Sequence, residues 1–208
     1  MVAKMNRIVL HHSAGPHSVT AADKAHYHLI VDGDGRVHEG IHPISANAPG
    51  KRLISGKYAG HTRGLNTGSI GLSIAAMKDA QWAHPYACPF YATPVQIDGL
   101  IRTAAELCIE YSIPVSRKTL LSHAEVELTL AVEQLGKWDF DYDLWKNVAS
   151  RDPIVIGDII RDKVQEEVAR LGGKPAPAAA SPRRTLRRGH SGPDVRELQE
   201  LLNVHLGD

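Results

Sequence analysis

The chain has 208 residues, of which 43% are hydrophobic and 23% are charged, and its formal net charge is +1. These values are typical of a globular protein with room for one domain and a small appendage. The near-neutral charge gives no reason to expect nucleic acid or a membrane surface as a partner, and no apolar run is long enough to span a membrane.

The first half of the chain predicts several buried strands. Residues 7–12 form a short apolar run that ends in two histidines, too short for the core of a signal peptide but typical of a buried strand. Residues 27–32 and 36–39 predict a hairpin closed by a Gly-Asp-Gly turn. Residues 69–75 predict another buried strand.

The second half predicts two helices and one more strand. Residues 94–111 have apolar positions at helical spacing, with Thr93 as the N-cap and proline at the first helical position. Leu120 and Leu121 predict a strand that ends just before His123. Residues 154–171 predict an amphipathic helix. This alternation predicts an α/β fold with a mixed central sheet flanked by helices, plus a short helical C-terminal tail.

Composition divides the chain into four segments. A main domain is expected at residues 1–150, followed by the amphipathic helix within residues 151–173. Residues 174–184 are rich in proline and alanine, which predicts a linker. Residues 185–208 are too few to bury a core alone.

Histidine is more frequent than average usage predicts, with twelve in the chain. Three predicted elements each end in a candidate metal ligand: His11, His123 and Asp139. Three nitrogen and oxygen ligands with one open position are what catalytic zinc requires, and a sheet could bring such ends together. A hydrogen-bonded structural role remains an alternative. The two cysteines, Cys88 and Cys108, form no disulfide framework, and a single disulfide between them stays open.

Four segments in order resemble the type-2 N-acetylmuramoyl-L-alanine amidases, which include phage endolysins and animal peptidoglycan recognition proteins. They are IVLHHSAG at 8–15, YHLIVDGDGRVHEG at 27–40, AGHTRGLNTGSIGLSI at 59–74 and SHAEVE at 122–127. The resemblance covers residues 7–145. It implies the amidase and peptidoglycan recognition protein fold, with a zinc amidase catalytic domain at residues 1–150.

The resemblance implies that His11 and His123 are zinc ligands. Many members supply a cysteine as the third ligand, but Lys137-Trp138-Asp139 resembles the branch that uses an aspartate, so we expect Asp139 in this role. His12 follows His11 on a strand and should point to the opposite face. The other histidines before residue 85 are expected to lie at the surface or in the substrate groove, and Cys88 to be structural.

The resemblance also implies catalytic roles for Lys137 and Tyr27. Lys137 matches a lysine that faces the developing oxyanion, and Tyr27 a tyrosine that positions water or substrate. Some members place a glutamate base where this chain has Ser73, so the identity of the general base stays open.

His61, Asn66 and Thr67 are expected to contact substrate, although turn formation explains Asn66 and Thr67 equally well. Trp82 and Tyr86 lie in a loop that could stack on a sugar or cap the core.

The tail at 186–203 resembles the opening of a peptidoglycan-binding module but stops after one helix. We therefore expect a monomeric amidase of phage or prophage origin, made in the cytoplasm and acting on peptidoglycan in the cell wall after release. Two alternatives are a cytosolic amidase that recycles anhydro-muropeptides and a non-catalytic peptidoglycan receptor. Receptors of this family typically lose a zinc ligand, whereas this chain has a full candidate set.

Overall fold

A computed structural model describes residues 3–173 of the chain. The predicted linker at 174–184 and the predicted tail at 185–208 lie outside the described residues and remain predictions. The described elements are, in order, β1 (Arg7–His12), α1 (Ala21–His26), β2 (Leu29–Val31), β3 (Val37–Glu39), β4 (Ser69–Ile74), α2 (Pro94–Glu110), β5 (Leu120–Ser122), α3 (His123–Leu130) and α4 (Pro153–Arg170). Two short 3₁₀ helices lie at Ile44–Asn47 and Pro85–Ala87.

The five strands form one mixed sheet in the order β3-β2-β4-β1-β5. Strand β1 is parallel to both β4 and β5, and β2 is parallel to β4, whereas β3 joins β2 as the antiparallel arm of the predicted hairpin. The predicted α/β class with a mixed sheet and flanking helices is confirmed. Parallel pairing also places the carboxyl ends of β1, β4 and β5 at one edge of the sheet, where binding sites of such sheets lie.

Helix α2 has the predicted start. The Thr93 side chain accepts a hydrogen bond from the Gln96 backbone N–H, and Pro94 occupies the first turn, where its missing N–H costs nothing. The buried face of α2 packs with α4 against one face of the sheet. This core contains Ile8 and Leu10 of β1.

The opposite face of the sheet has a smaller apolar cluster, in which Val9 and Leu121 pack against Val126 of α3. Side chains alternate along β1, so His11 lies on the same face as Val9. His12 lies on the face of the larger core, where it packs against aromatic side chains. Neighbouring histidines therefore approach the sheet edge from two sides.

Two short helices were not predicted from the sequence. Residues 27–32 were predicted as strand, but Tyr27 is the C-cap of α1 and β2 begins only at Leu29. Helix α1 is held by a capping box between Thr20 and Asp23, a local signal that is independent of any apolar stripe. His123 was predicted at the end of a strand, but it is the first residue of α3.

Two further questions from the sequence concern a possible disulfide and membrane-spanning helices. Cys88 and Cys108 are both buried and both free thiols, so they form no disulfide with each other. Among residues 3–173, no helix is long and apolar enough to cross a membrane.

Candidate metal centre and active-site cleft

Two histidines meet at the carboxyl edge of the sheet. His11 lies near the end of β1, and His123 follows directly after β5, which is paired in parallel with β1. The loop that follows α3 returns to this edge, where the backbone N–H of Ala124 donates to the Asp139 carbonyl at 3.4 Å. The sheet and this loop together bring Asp139 to the two histidines.

The three side chains present donor atoms to one point. Nδ1 of His11 lies 3.4 Å and Nδ1 of His123 lies 2.8 Å from Oδ2 of Asp139. One ligand atom from each residue lies within 4.8 Å of the others, and all three residues are buried. Two imidazole nitrogens and a carboxylate oxygen are a common set for zinc.

His12 contacts the other oxygen of the same carboxylate. Its Nε2 lies 3.2 Å from Oδ1 of Asp139, while its ring packs 4.7 Å from the ring of Trp138. His12 is outside the group of three donors. The contact is one of proximity, because neither ring nitrogen of His12 has a hydrogen-bond partner, while Oδ2 of Asp139 faces His11 and His123.

The imidazole of His61 contacts the ring nitrogen of His11 that faces away from Asp139. Nε2 of His11 lies 3.1 Å from Nδ1 of His61, and Nε2 of His61 lies 3.4 Å from the carbonyl oxygen of Ser69. That carbonyl can only accept, so Nε2 of His61 has the proton and its Nδ1 accepts from Nε2–H of His11. The lone pair on Nδ1 of His11 is therefore free to face Asp139 and a metal ion.

The protonation states also suit metal binding. Burial lowers the pKa of His11 to about 4, although the adjacent Asp139 carboxylate acts in the opposite direction, so the ring is neutral at neutral pH. Burial opposes ionisation of Asp139, but the surrounding His12, His11 and His123 outweigh it and hold its pKa well below the ordinary value. Neutral imidazoles and an ionised carboxylate are the forms that bind a metal. The residues present therefore fit a zinc ion.

His123 and Asp139 line a cleft with a volume of about 750 Å³, and the fully buried His11 lies beneath its surface. Its lining includes Tyr27, Tyr58, Arg63, Asn66, Leu135, Lys137 and Trp138. Such a volume is in the range of ligand-binding clefts.

Two residues predicted to be catalytic lie in this cleft. The ring of Tyr27 lies 5.1 Å from the ring of His11. Burial, with the nearby charge of Asp139, raises the pKa of Tyr27 above its ordinary value, so its hydroxyl stays protonated and can donate. Lys137 is exposed at the rim, two residues before Asp139.

The three residues predicted to contact substrate differ in their position relative to the cleft. His61 lines the cleft but is only 7% exposed, and its imidazole also contacts His11. The side-chain oxygen of Asn66 accepts from the backbone N–H groups of His61 and Thr62, which is a turn-forming role, although Asn66 also lines the cleft. Thr67 is exposed and is not among the cleft-lining residues.

The remaining candidates are placed as follows. Ser73 is buried on β4, level with His11 in the strand register. Trp82 is 58% exposed, and its indole N–H donates to Asp141 while Arg151 lies over its ring. Tyr86 packs against Tyr91 and Tyr142. Among the other histidines, His26 lines the cleft, His28 is buried, and Nε2 of His38 lies 2.7 Å from Asp32.

Sequence reasoning missed two residues that contact the centre. The side-chain oxygen of Gln134 lies 2.8 Å from Nε2 of His123. Gly71 lies against the ring of His61, where an added Cβ would meet the ring at 2.5 Å. Gly71 is the glycine of the S-I-G motif, so the motif could have indicated its contact with His61. Nothing in the sequence distinguishes Gln134 from an ordinary loop residue.

The fold and the donor set define an α/β protein with a buried three-donor site of the type that catalytic metals occupy. A sequence profile of the N-acetylmuramoyl-L-alanine amidase family, Amidase_2, matches residues 1–139 of the 208. The chain therefore belongs to this family of peptidoglycan amidases, and the predicted resemblance is confirmed.

Solved structures of related proteins are similar in fold. LysC, an N-acetylmuramoyl-L-alanine amidase from Clostridium intestinale URNW, is 19% identical, and the similarity covers 83% of this chain and 88% of that chain with a TM-score of 0.41. The hydrolase AmiA of Staphylococcus aureus is 16% identical over 83% and 78% of the two chains, with a TM-score of 0.48. The Ph2119 endolysin from the Thermus scotoductus bacteriophage is 20% identical over 60% and 75%, with a TM-score of 0.38. No curated protein is similar enough in sequence to count as a match.

Proposed function

We propose that this protein is a zinc-dependent amidase that cleaves the amide bond between N-acetylmuramic acid and the L-alanine of the stem peptide, as an endolysin of phage or prophage origin. The observation that supports this most directly is the convergence of His11, His123 and Asp139 within 4.8 Å at the cleft. The intact donor set favours an enzyme over a receptor of the same fold.

His11, His123 and Asp139 would hold the zinc ion. Bound by three protein ligands with one open position, zinc supplies an activated water at neutral pH and polarises the scissile carbonyl. The chain's own contribution is to hold His11 neutral and Asp139 ionised, the latter partly through the nearby His12.

Lys137 and Tyr27 would act on the substrate. Hydrolysis of an amide passes through a tetrahedral intermediate with a negative oxygen, and a fixed cation or donor near that oxygen lowers the barrier. Lys137 supplies a cation at the rim of the cleft, and Tyr27 a protonated hydroxyl beside His11. Tyr58 and Arg63 also line the cleft and would offer contacts for the glycan or the peptide.

The first test measures products and metal together. Purified sacculi treated with the protein should release peptides with free L-alanine amino termini and leave intact glycan strands, detected by mass spectrometry. Chelation should abolish this activity, and zinc should restore it. New reducing ends would show a glycosidase, and full activity after rigorous zinc removal would rule out the proposed mechanism.

The second test assigns the ligands. His11→Ala and Asp139→Ala should each lose bound zinc, measured by elemental analysis of the purified proteins. His28→Asn is the matched control, because His28 is also buried but lies outside the group of three donors. A stoichiometrically zinc-loaded Asp139→Ala variant would show that Asp139 is not the third ligand. Activity on sacculi but not on soluble anhydro-muropeptides would favour the endolysin over a recycling amidase.

A further inference from the structure

His123 lies between two hydrogen-bond acceptors that compete for one proton. Its Nε2 is 2.8 Å from Oε1 of Gln134, and its Nδ1 is 2.8 Å from Oδ2 of Asp139. A neutral imidazole has a single N–H, so it can donate to only one of them. If the proton lies on Nδ1, this N–H donates a hydrogen bond to the Asp139 carboxylate. Nδ1 then has no lone pair for a metal.

The orientation of the Gln134 amide is fixed by its other contacts. Its Nε2 donates to the backbone carbonyls of Arg63 at 2.9 Å and Val132 at 3.1 Å. Both carbonyls can only accept, so the amide cannot be flipped without placing its oxygen against them. Oε1 must therefore face His123, where it can only accept.

The backbone at this position is held as well. The N–H of Gln134 donates to the carboxylate of Glu127 on α3, at 3.1 Å. The side chain itself is only 4% exposed. Burial strengthens the preference for a satisfied acceptor, because a polar atom left unpaired away from water is destabilising.

We infer that Gln134 is a positioning residue for the metal centre: it holds the ring proton of His123 on Nε2 and so keeps the Nδ1 lone pair directed at the metal position beside Asp139. This inference rests on the proposed zinc site. A partner on the outer nitrogen of a metal-binding histidine typically changes metal affinity by about 10–100-fold.

The first test uses the metal-free wild-type protein. Long-range ¹H–¹⁵N correlation spectra report which ring nitrogen of His123 has the proton. The expected result is Nε2–H. A proton on Nδ1, shared with Asp139, would overturn the inference without reference to zinc or to activity.

The second test compares two substitutions at the same position. Gln134→Leu removes the acceptor, so the ring proton of His123 is expected to move to Nδ1. The affinity for zinc, measured by competition with a chromophoric chelator, should fall by about 10–100-fold. Gln134→Glu keeps an acceptor for Nε2–H, so it should retain zinc affinity close to that of the wild type even if its second oxygen faces carbonyls and lowers stability. Wild-type affinity in Gln134→Leu, or equal loss in both variants, would contradict the inference.

A matched control exists on α2. Gln96 is also buried, and its Nε2 also donates to two backbone carbonyls, those of Val31 and Ala75. Gln96→Leu should lower thermal stability without changing zinc affinity, which separates a general packing defect from the loss of a histidine partner. A wild-type protein that binds no zinc would defeat the proposed function, whereas the tautomer measurement on the metal-free protein would still decide the role of Gln134.

Discussion

The guanidinium of Arg161 donates to both carboxylate oxygens of Glu125, at distances of 3.2 and 2.7 Å. Glu125 also accepts from the backbone N–H of Ser122, directly before His123. Both charged side chains are buried. Arg161 belongs to α4, beyond residue 139 where the family match ends. Helix α4 therefore supports the start of the helix that contains a candidate zinc ligand.

Arg161→Ala is expected to lower the free energy of unfolding by about 3–5 kcal/mol, because it leaves the buried Glu125 carboxylate without its partner. Urea denaturation measures this loss. Arg170→Ala is the control and should change stability little, since the Arg170 side chain is 62% exposed and solvent screens its pair with Glu167. The double variant Arg161→Met, Glu125→Leu should recover much of the loss. A cost below about 1 kcal/mol for Arg161→Ala would show that the pair is not structurally important.

Gly71→Ala should weaken zinc binding, because a Cβ would lie 2.5 Å from Cγ of His61 and displace the ring that supports His11. We expect a loss of affinity of about tenfold or more, measured by chelator competition. Gly99→Ala crowds Val31 and the Gly35 backbone instead, so it should lower stability and leave zinc affinity unchanged. Equal zinc affinity in the wild type and Gly71→Ala would argue against a role of His61 in orienting His11.

Lys137→Met should lower kcat by about 10²–10³ while bound zinc stays stoichiometric, because it removes the cation proposed to face the developing oxyanion. Steady-state kinetics on a soluble muropeptide and elemental analysis of the same sample measure the two effects. Lys163 is an exposed lysine of α4, away from the cleft lining, and Lys163→Met should leave both unchanged. A wild-type kcat in Lys137→Met would exclude an electrostatic role for this residue.

The sequence was informative wherever apolar spacing, or a cap followed by proline, marks an element. The apolar run of β1 and the capped start of α2 predicted these elements, and the alternation of elements predicted the sheet class. Helices α1 and α3 were missed because each is short and is marked at its start by a cap rather than by apolar spacing: α1 has a capping box, and in α3 the Glu125 carboxylate accepts from the Ser122 backbone N–H.

The candidate donors could be proposed from the sequence because each lies in a segment that resembles the family. Their support could not be predicted, since it depends on contacts between residues distant in the chain. His61 was expected to contact substrate, which stays a prediction; its contact with His11, 50 positions away, was not foreseen. Gln134 reaches the carbonyl of Arg63 across 71 positions. Long-range hydrogen bonds of this kind leave no periodic pattern in a single sequence.

A buried histidine away from the donor set makes stability depend on pH. His28 is 2% exposed, its Nδ1 accepts from the backbone N–H of Gly71 at 2.9 Å, and burial lowers its pKa from 6.5 to about 4. Between these two values the unfolded chain binds a proton at this site that the folded protein does not. Stability therefore rises with pH through this window and is lost as the pH falls toward 4.

His28→Asn keeps an acceptor for Gly71 but cannot titrate. The difference in unfolding free energy between pH 7 and about pH 4.5 should shrink by about 2 kcal/mol relative to the wild type, since one pKa unit corresponds to about 1.4 kcal/mol. Urea denaturation at both pH values measures it. The exposed His84→Asn is the control and should keep the wild-type difference. The buried His11 and His61, whose pKa values burial also lowers, remain in both variants, so the pH dependence should become smaller without vanishing. If His28→Asn retained the full wild-type difference, protonation of His28 could not be a cause of the acid instability.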